Sequence, residues 1–179
     1  MKRLVVILFL TFFFVTVANA ENKTLDYLGG RYENRLEWEI LEQNERFIIF
    51  MDKAQIKFLQ DIEGNVNEQI ILTTEEYYYI DGVMKKQVQN ELAQKGYYID
   101  YLALGYEVKK MFYNLKRDEV IVVWRTIYDK DRKKVYETKF PGDDTYATYL
   151  NELEQMLQIR KIKKYLAENY AQISLNTNS

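Results

Sequence analysis

Any chemistry this chain performs has to come from carboxylates, lysine or tyrosine, because its 179 residues include no histidine and no cysteine. Without imidazole there is no Ser-His-Asp or Cys-His relay. The commonest general base near neutral pH and the commonest zinc ligand are missing too. Without thiols there is neither a disulfide nor thiolate chemistry. Glu37, Glu39, Glu75, Glu76 and Glu137 are the carboxylates from which an acid–base pair could be drawn. Glycoside chemistry would need two of them ~5–9.5 Å apart across a cleft, and nothing in the sequence brings any two together. Asp129-Lys130-Asp131 has the spacing of two calcium ligands. A full calcium loop would continue with Asp or Asn at 133 and Gly at 134, where this chain has Lys133 and Lys134. The triplet therefore reads as a hairpin turn, and Asp143-Asp144 as a helix cap. The expectation is a protein that is not an enzyme, with no catalytic residue, no metal site and no cofactor.

Two other groupings point to binding. The chain has 16 tyrosines, and Tyr77, Tyr78, Tyr79, Tyr97 and Tyr98 cluster where a run of strands gives way to helix. Tyrosine joins a large apolar face to a polar tip, so it suits sheet packing, pocket walls and interfaces alike. Three consecutive tyrosines in a strand must point to both faces of the sheet. The second grouping, Arg160-Lys161-Ile162-Lys163-Lys164, is a basic run inside a helical pattern. It reads as a solvated face, with an anionic membrane surface or an acidic partner as the functional alternative.

The elements that would position these groups begin after an export signal. Met1-Lys2-Arg3 is a positive start, Leu4–Val17 is unbroken apolar sequence, and Ala18-Asn19-Ala20 is the small-x-small site a signal peptidase reads. The apolar run is shorter than the ~20 residues a membrane-spanning helix needs. The expected product starts at Glu21, exported to the periplasm or secreted, in a bacterial cell. The whole chain has a net charge of −2, and losing Lys2 and Arg3 makes the remainder more acidic. That argues against nucleic acid, whose binding rests on phosphate neutralisation.

Residues 21–33 form a lead-in. Leu36, Trp38 and Ile40 then alternate with Arg35, Glu37 and Glu39, a strand with one wet face. Residues 46–51 are apolar on both faces and predict a central strand. Gln55–Leu59, Gln69–Leu72 and Glu76–Ile80 follow as strands. Asp81-Gly82 reads as a hairpin turn into another strand at Val83–Gln87, giving about six short strands over residues 34–87. Residues 89–95 predict one or two helical turns ending at Gly96. A 3.6-residue period through Tyr98, Tyr101, Leu104, Val108, Phe112 and Leu115 predicts a helix over 98–115. Val120–Tyr128 and Lys134–Phe140 predict a β-hairpin, and a long helix follows Pro141-Gly142. Its stripe Tyr146, Leu150, Leu153 and Leu157 lies nearly opposite a second set, Ile159, Ile162, Leu166 and Ile173. The helix is therefore expected to kink near Gln158 or to project beyond it.

The order of strands and turns over residues 46–87, with Ile70-Ile71-Leu72-Thr73-Thr74 leading into Glu76-Tyr77-Tyr78-Tyr79-Ile80-Asp81-Gly82, resembles small exported bacterial proteins with an outer-membrane lipoprotein carrier-like fold. In that superfamily a half-barrel of strands wraps helices and shelters acyl chains. The resemblance implies an apolar-ligand or lipoprotein-linked role.

The expected fold is α+β, a curved antiparallel sheet of about eight strands packed by two main helices. The expected domains are a signal at 1–20, a lead-in at 21–33, a single domain at 34–158 and a C-terminal helical extension and tail at 159–179. The first functional expectation is a carrier taking an apolar, lipid-like ligand in a concave sheet face lined by Trp38, Phe47, Tyr78, Tyr101 and Phe112. The second is an accessory protein of an envelope assembly, touching its partner through Ile159, Arg160, Lys161, Ile162, Lys164 and Leu166. The third is a carboxylate-based hydrolase.

Overall fold

A computed structural model describes residues 38–139 and 152–178. The export signal, the lead-in, the first residues of the expected first strand, Glu37, the Asp143-Asp144 cap, Tyr146 and Leu150 lie outside them, as does the side chain of Leu153. The described residues from Glu39 onward belong to one compact unit.

The architecture is α+β. Among the described residues, seven strands form one open antiparallel sheet, and two α-helices accompany it. The strands are β1 (Trp38–Gln43), β2 (Phe47–Asp52), β3 (Lys57–Gln60), β4 (Val66–Tyr79), β5 (Leu104–Asn114), β6 (Glu119–Asp129) and β7 (Lys134–Lys139). They run in the order β1-β2-β4-β5-β6-β7, with β3 paired to the first half of β4. β2 is an inner strand with Ile48 to Met51 buried, as its apolar composition predicts. The turns are built by short acidic and amide side chains. Asn44 Oδ1 accepts from the backbone N–H of Arg46 and Phe47, and Asp61 Oδ1 from those of Glu63 and Asn65. Asp129 Oδ1 accepts from the N–H of Asp131 and Lys133, so the Asp-Lys-Asp triplet is the expected hairpin turn.

Three expected elements are corrected. The strands at 69–72 and 76–80 are parts of one 14-residue strand, β4. Asp81-Gly82 is a helix start, not a hairpin. Asp81 is extended and its carboxylate accepts from Met84 N at 2.8 Å, opening helix α1 (Gly82–Gln94). A type I′ turn needs positive φ at both central residues, and neither adopts it. Met84, Val88 and Leu92, spaced by four, give the segment a helical face that outweighs the local turn signal. The helix ends in a Schellman motif, with Gly96 at φ +85° and Tyr97 N bonded to Leu92 O.

The helix expected over 98–115 is instead a 3-10 turn, Tyr101–Ala103, followed by β5. β5 is sandwiched between β4 and β6, and apolar residues occupy both of its faces. Two interleaved period-two sets can mimic a helical stripe. The backbone hydrogen bonds available from both neighbouring strands decide between them.

The long C-terminal helix α2 (Glu152–Thr177) is also corrected. It passes through Gln158, and its non-helical residue is Asn169 (φ −130°, ψ 23°). The second apolar set is the buried one. Ile159, Ile162, Tyr165 and Ile173 pack into a core with Met51, Phe58, Ile71, Met111 and Tyr113, and Leu166 lies against it. The end is pinned: Thr177 Oγ1 accepts from Phe58 N, and Asn176 Nδ2 donates to the carbonyls of Lys53 and Ile56. The segment does not project, and of the first set Leu157 is exposed.

A second core joins α1 to the sheet through Val88, Leu92, Tyr79, Leu104, Ile127 and Tyr136. Both cores lie on one face, since alternation along β4 and β5 puts Ile71, Thr73, Glu75, Tyr77 and Tyr79 beside Glu107, Lys109, Met111 and Tyr113. The other face carries an aromatic ladder, Phe50, Tyr78, Tyr106 and Tyr128, with stacked rings 5.0 and 4.9 Å apart from Tyr78 to Tyr128. Trp38 and Trp124 are half-buried. Trp124 belongs to the ladder face, donating to Glu137 at 3.3 Å.

Candidate functional site

The two cores leave a cavity of about 600 Å³ between them, over the middle of the sheet. β2 contributes Phe47 and Ile49, β6 contributes Val120 and Val122, and the helices contribute Met84, Val88 and Leu157. The polar part of the floor comes from Tyr77, Tyr79, Glu107, Lys109 and Arg125, with Glu91 of α1 above it. Glu42, Arg46, Gln87 and Gln158 complete the lining.

β-pairing brings the floor charges together. Arg125 faces Lys109 across the β5–β6 ladder, and Glu107 faces Tyr77 across β4–β5. Arg125 Nε donates to Glu107, and its Nη1 donates to Glu91 at 2.7 Å. Lys109 Nζ reaches Glu107 at 2.7 Å and also lies 3.8 Å from the centre of the Tyr77 ring. Burial alone would raise the Glu107 carboxyl, but Arg125 and then Lys109 outweigh it and hold it at about 2. Burial alone would lower the Arg125 guanidinium, and Glu107 outweighs it in turn, so Arg125 is raised above the ordinary arginine value. Arg125 and Glu107 are buried, half-buried Lys109 and Glu91 join them, and Lys95 Nζ lies 4.0 Å from Glu91.

Glu75, fully buried, sits next to this cluster but does not line the cavity. Its carboxylate accepts from Thr73 Oγ1 at 2.9 Å, Tyr77 Oη at 2.8 Å and Tyr113 Oη at 2.5 Å. Burial raises its carboxyl above the ordinary glutamate value, with those hydroxyls and Lys109 pulling the other way. Gln158 Nε2 donates to Tyr77 Oη at 3.3 Å, which ties α2 to the same network.

Tyr79, 2% exposed, belongs to the same floor, and its hydroxyl lies against Glu107 and Arg125, which are also engaged with each other and with Glu91 and Lys109. Burial, then the Glu107 charge, push the Tyr79 hydroxyl well above the ordinary tyrosine value, so it keeps its proton.

Of the five residues expected to line a ligand site, Phe47 lines this cavity. Tyr78 and Phe112 sit on the opposite face, where their strand positions alternate with the lining ones. Tyr101 lies beside α1 with Lys86 Nζ 5.1 Å from its ring centre, and Trp38 is half-buried at the start of β1. The expected partner-binding residues divide. Ile159 and Ile162 are in the core and Leu166 packs on it, while Lys161 pairs with Glu42 at 2.9 Å. Arg160 and Lys164 are exposed. Glu91, Glu107, Lys109 and Arg125 escaped the sequence reading. The available signal was Arg125, a cation in the middle of the apolar strand run 120–128 that had to find a buried partner.

No protein-family model, curated protein or solved structure matches this chain. Among the described residues, no helix is long and apolar enough to cross a membrane, and no three acidic side chains are grouped to hold a metal ion.

Proposed function

We propose that this is an exported, non-catalytic binding or carrier protein that holds an apolar, lipid-like small molecule in the cavity between its helices and sheet. The observation that carries the reading is the cavity itself. Its volume of about 600 Å³ lies within the range of small-molecule sites, and Phe47, Ile49, Met84, Val88, Val120, Val122 and Leu157 give it an apolar wall beside a charged floor. The cavity lies on one face of the sheet, with α1 and α2 contributing to its walls. Export rests on the Met1–Ala20 signal pattern.

The hydrolase reading draws less support. Glu107 is held ionised by two cations and cannot deliver a proton near neutral pH, while Glu75 is enclosed by three hydroxyls away from the cavity lining. The partner-helix reading draws less as well, because the apolar residues it needs are used in the core.

Mass spectrometry of solvent extracts from natively purified protein tests the proposal, together with titration by a fluorescent apolar probe. A co-purified lipid-like molecule, or saturable probe binding lost in a cavity-filling Val122→Trp variant that still unfolds cooperatively, is the expected result. No extractable ligand and no saturable probe binding would refute it.

A further inference from the structure

The charges that line the cavity do not cancel. Its three carboxylates, Glu42, Glu91 and Glu107, are each met by cations of the protein. Glu107 takes Arg125 and Lys109, and Glu91 takes Arg125. Glu42 is engaged through both oxygens, Oε2 by Lys161 Nζ at 2.9 Å and Oε1 by Asn44 Nδ2 at 3.1 Å. Lys109 and Arg125 are spent on these acids. Arg46 is the lining cation whose guanidinium has no ion pair or hydrogen bond among the described residues. The charge left over at the cavity is therefore positive, and Arg46 carries it.

The fold sets where that charge stands. The main chain of Arg46 is fixed: its N–H donates to Asn44 Oδ1 at 2.9 Å, and its carbonyl accepts from Ile80 N at 2.8 Å and Asp81 N at 3.3 Å. The side chain thus springs from the point where the β1–β2 turn meets the start of α1. Asp81 gives its own carboxylate to Met84 N. Arg46 is exposed, while Phe47 beside it is half-buried in the apolar wall. Gln87 of α1, also exposed and also in the lining, brings an amide donor to the same opening.

A guanidinium at the water's edge with apolar walls behind it suits a molecule that is anionic at one end and apolar along its length. The planar fork of arginine takes two oxygens of a carboxylate or phosphate at once. At an exposed position the head keeps part of its hydration and avoids the desolvation cost it would meet on the inner floor. Resting on the binding function proposed above, we infer that the cavity takes single-chain anionic amphiphiles, with a carboxylate or phosphate head held by Arg46 at the opening and the chain running inward against Phe47, Met84 and Val122. Ionised fatty acids and alkyl phosphates belong to this class.

The test uses the purified chain and a fluorescent apolar probe, displaced at pH 8 by decanoate, decyl phosphate or 1-decanol. In Arg46→Gln, decanoate, decyl phosphate or both should bind roughly 3- to 10-fold more weakly, between the worth of an exposed ion pair and that of a charged hydrogen bond. Which of the two loses affinity tells the carboxylate head from the phosphate head. Decanol should bind the variant as it binds the wild type, and Arg46→Lys should restore part of the anion affinity. Arg160→Gln removes the same charge from an exposed position outside the lining and should leave all three ligands unchanged. Unchanged affinity for both anions in Arg46→Gln, an equal loss for decanol, or an equal loss in Arg160→Gln would each overturn the inference while leaving the binding function standing. Loss of cooperative unfolding in Arg46→Gln would place the guanidinium in the fold and overturn it equally. Failure of the probe to bind the wild-type protein would instead remove the binding function on which the inference rests.

Discussion

Replacing Arg125 with Met keeps the side-chain volume and removes the cation that joins Glu107 to Glu91. In the native protein the Glu107 carboxyl is held at about 2, against an ordinary value of 4.5. At about 1.4 kcal/mol per pKa unit, that difference corresponds to stability on the order of 3 kcal/mol at neutral pH. The sign follows from the depressed carboxyl: the contribution is present above pH 4.5 and is lost as pH falls toward 2. In Arg125→Met, burial acts against Lys109 alone, Glu107 moves upward, and the folded variant gains from protonation instead. The destabilisation at pH 7 should be about 3–5 kcal/mol, the usual cost of breaking a buried pair. It should shrink steadily as pH falls from 5 to 3. Urea unfolding followed by tryptophan fluorescence at pH 7, 5 and 3 measures both quantities. A deficit below about 1 kcal/mol at pH 7, against that expectation, or one that stays constant over this pH range, would refute the account of the buried cluster.

Truncation after Gln158 removes Ile159, Ile162, Tyr165 and Ile173 from the core and the Thr177 bond to Phe58 N. At about 2–5 kcal/mol for each large apolar side chain, the loss exceeds the stability of an ordinary domain. The truncated chain should show no cooperative thermal transition by circular dichroism, and a normal melt would contradict the docked helix. Gly105→Ala places a Cβ 2.7 Å from the Asp129 carbonyl oxygen and 2.9 Å from its carbon. Both are backbone atoms at the β5–β6 bulge, so the midpoint of urea unfolding should fall by the equivalent of about 1–3 kcal/mol. An unchanged midpoint would mean that the two strands are not this close.

The parts of the molecule legible in the sequence are those set by local pattern. The α+β class, the strands at β1, β2, β3, β6 and β7, the Asp129 turn and the helix stop at Gly96 follow from alternation, turn chemistry and a position that needs positive φ. Asp81-Gly82 and β5 show where local pattern fails. An aspartate before a glycine can cap a helix or turn a hairpin, and Met84, Val88 and Leu92, which settle the choice, matter only once there is a core for them to enter. The residues of β5 are apolar on both faces, so their period does not separate strand from helix; the neighbouring strands β4 and β6 do.

The candidate site was harder to read for the same reason. Composition alone establishes that it has neither histidine nor cysteine and is rich in tyrosine. That Arg125 meets Glu107 and Glu91, and that Phe47 faces the cavity while Tyr78 and Phe112 face away, are set by register and by the seating of two helices. Side-chain alternation gives each strand two faces but does not say which one the helices will cover. α2 supplies the answer by burying Ile159, Ile162 and Ile173 against the face that carries Ile71, Met111 and Tyr113, a contact between residues about fifty to a hundred positions apart that only the folded chain brings together.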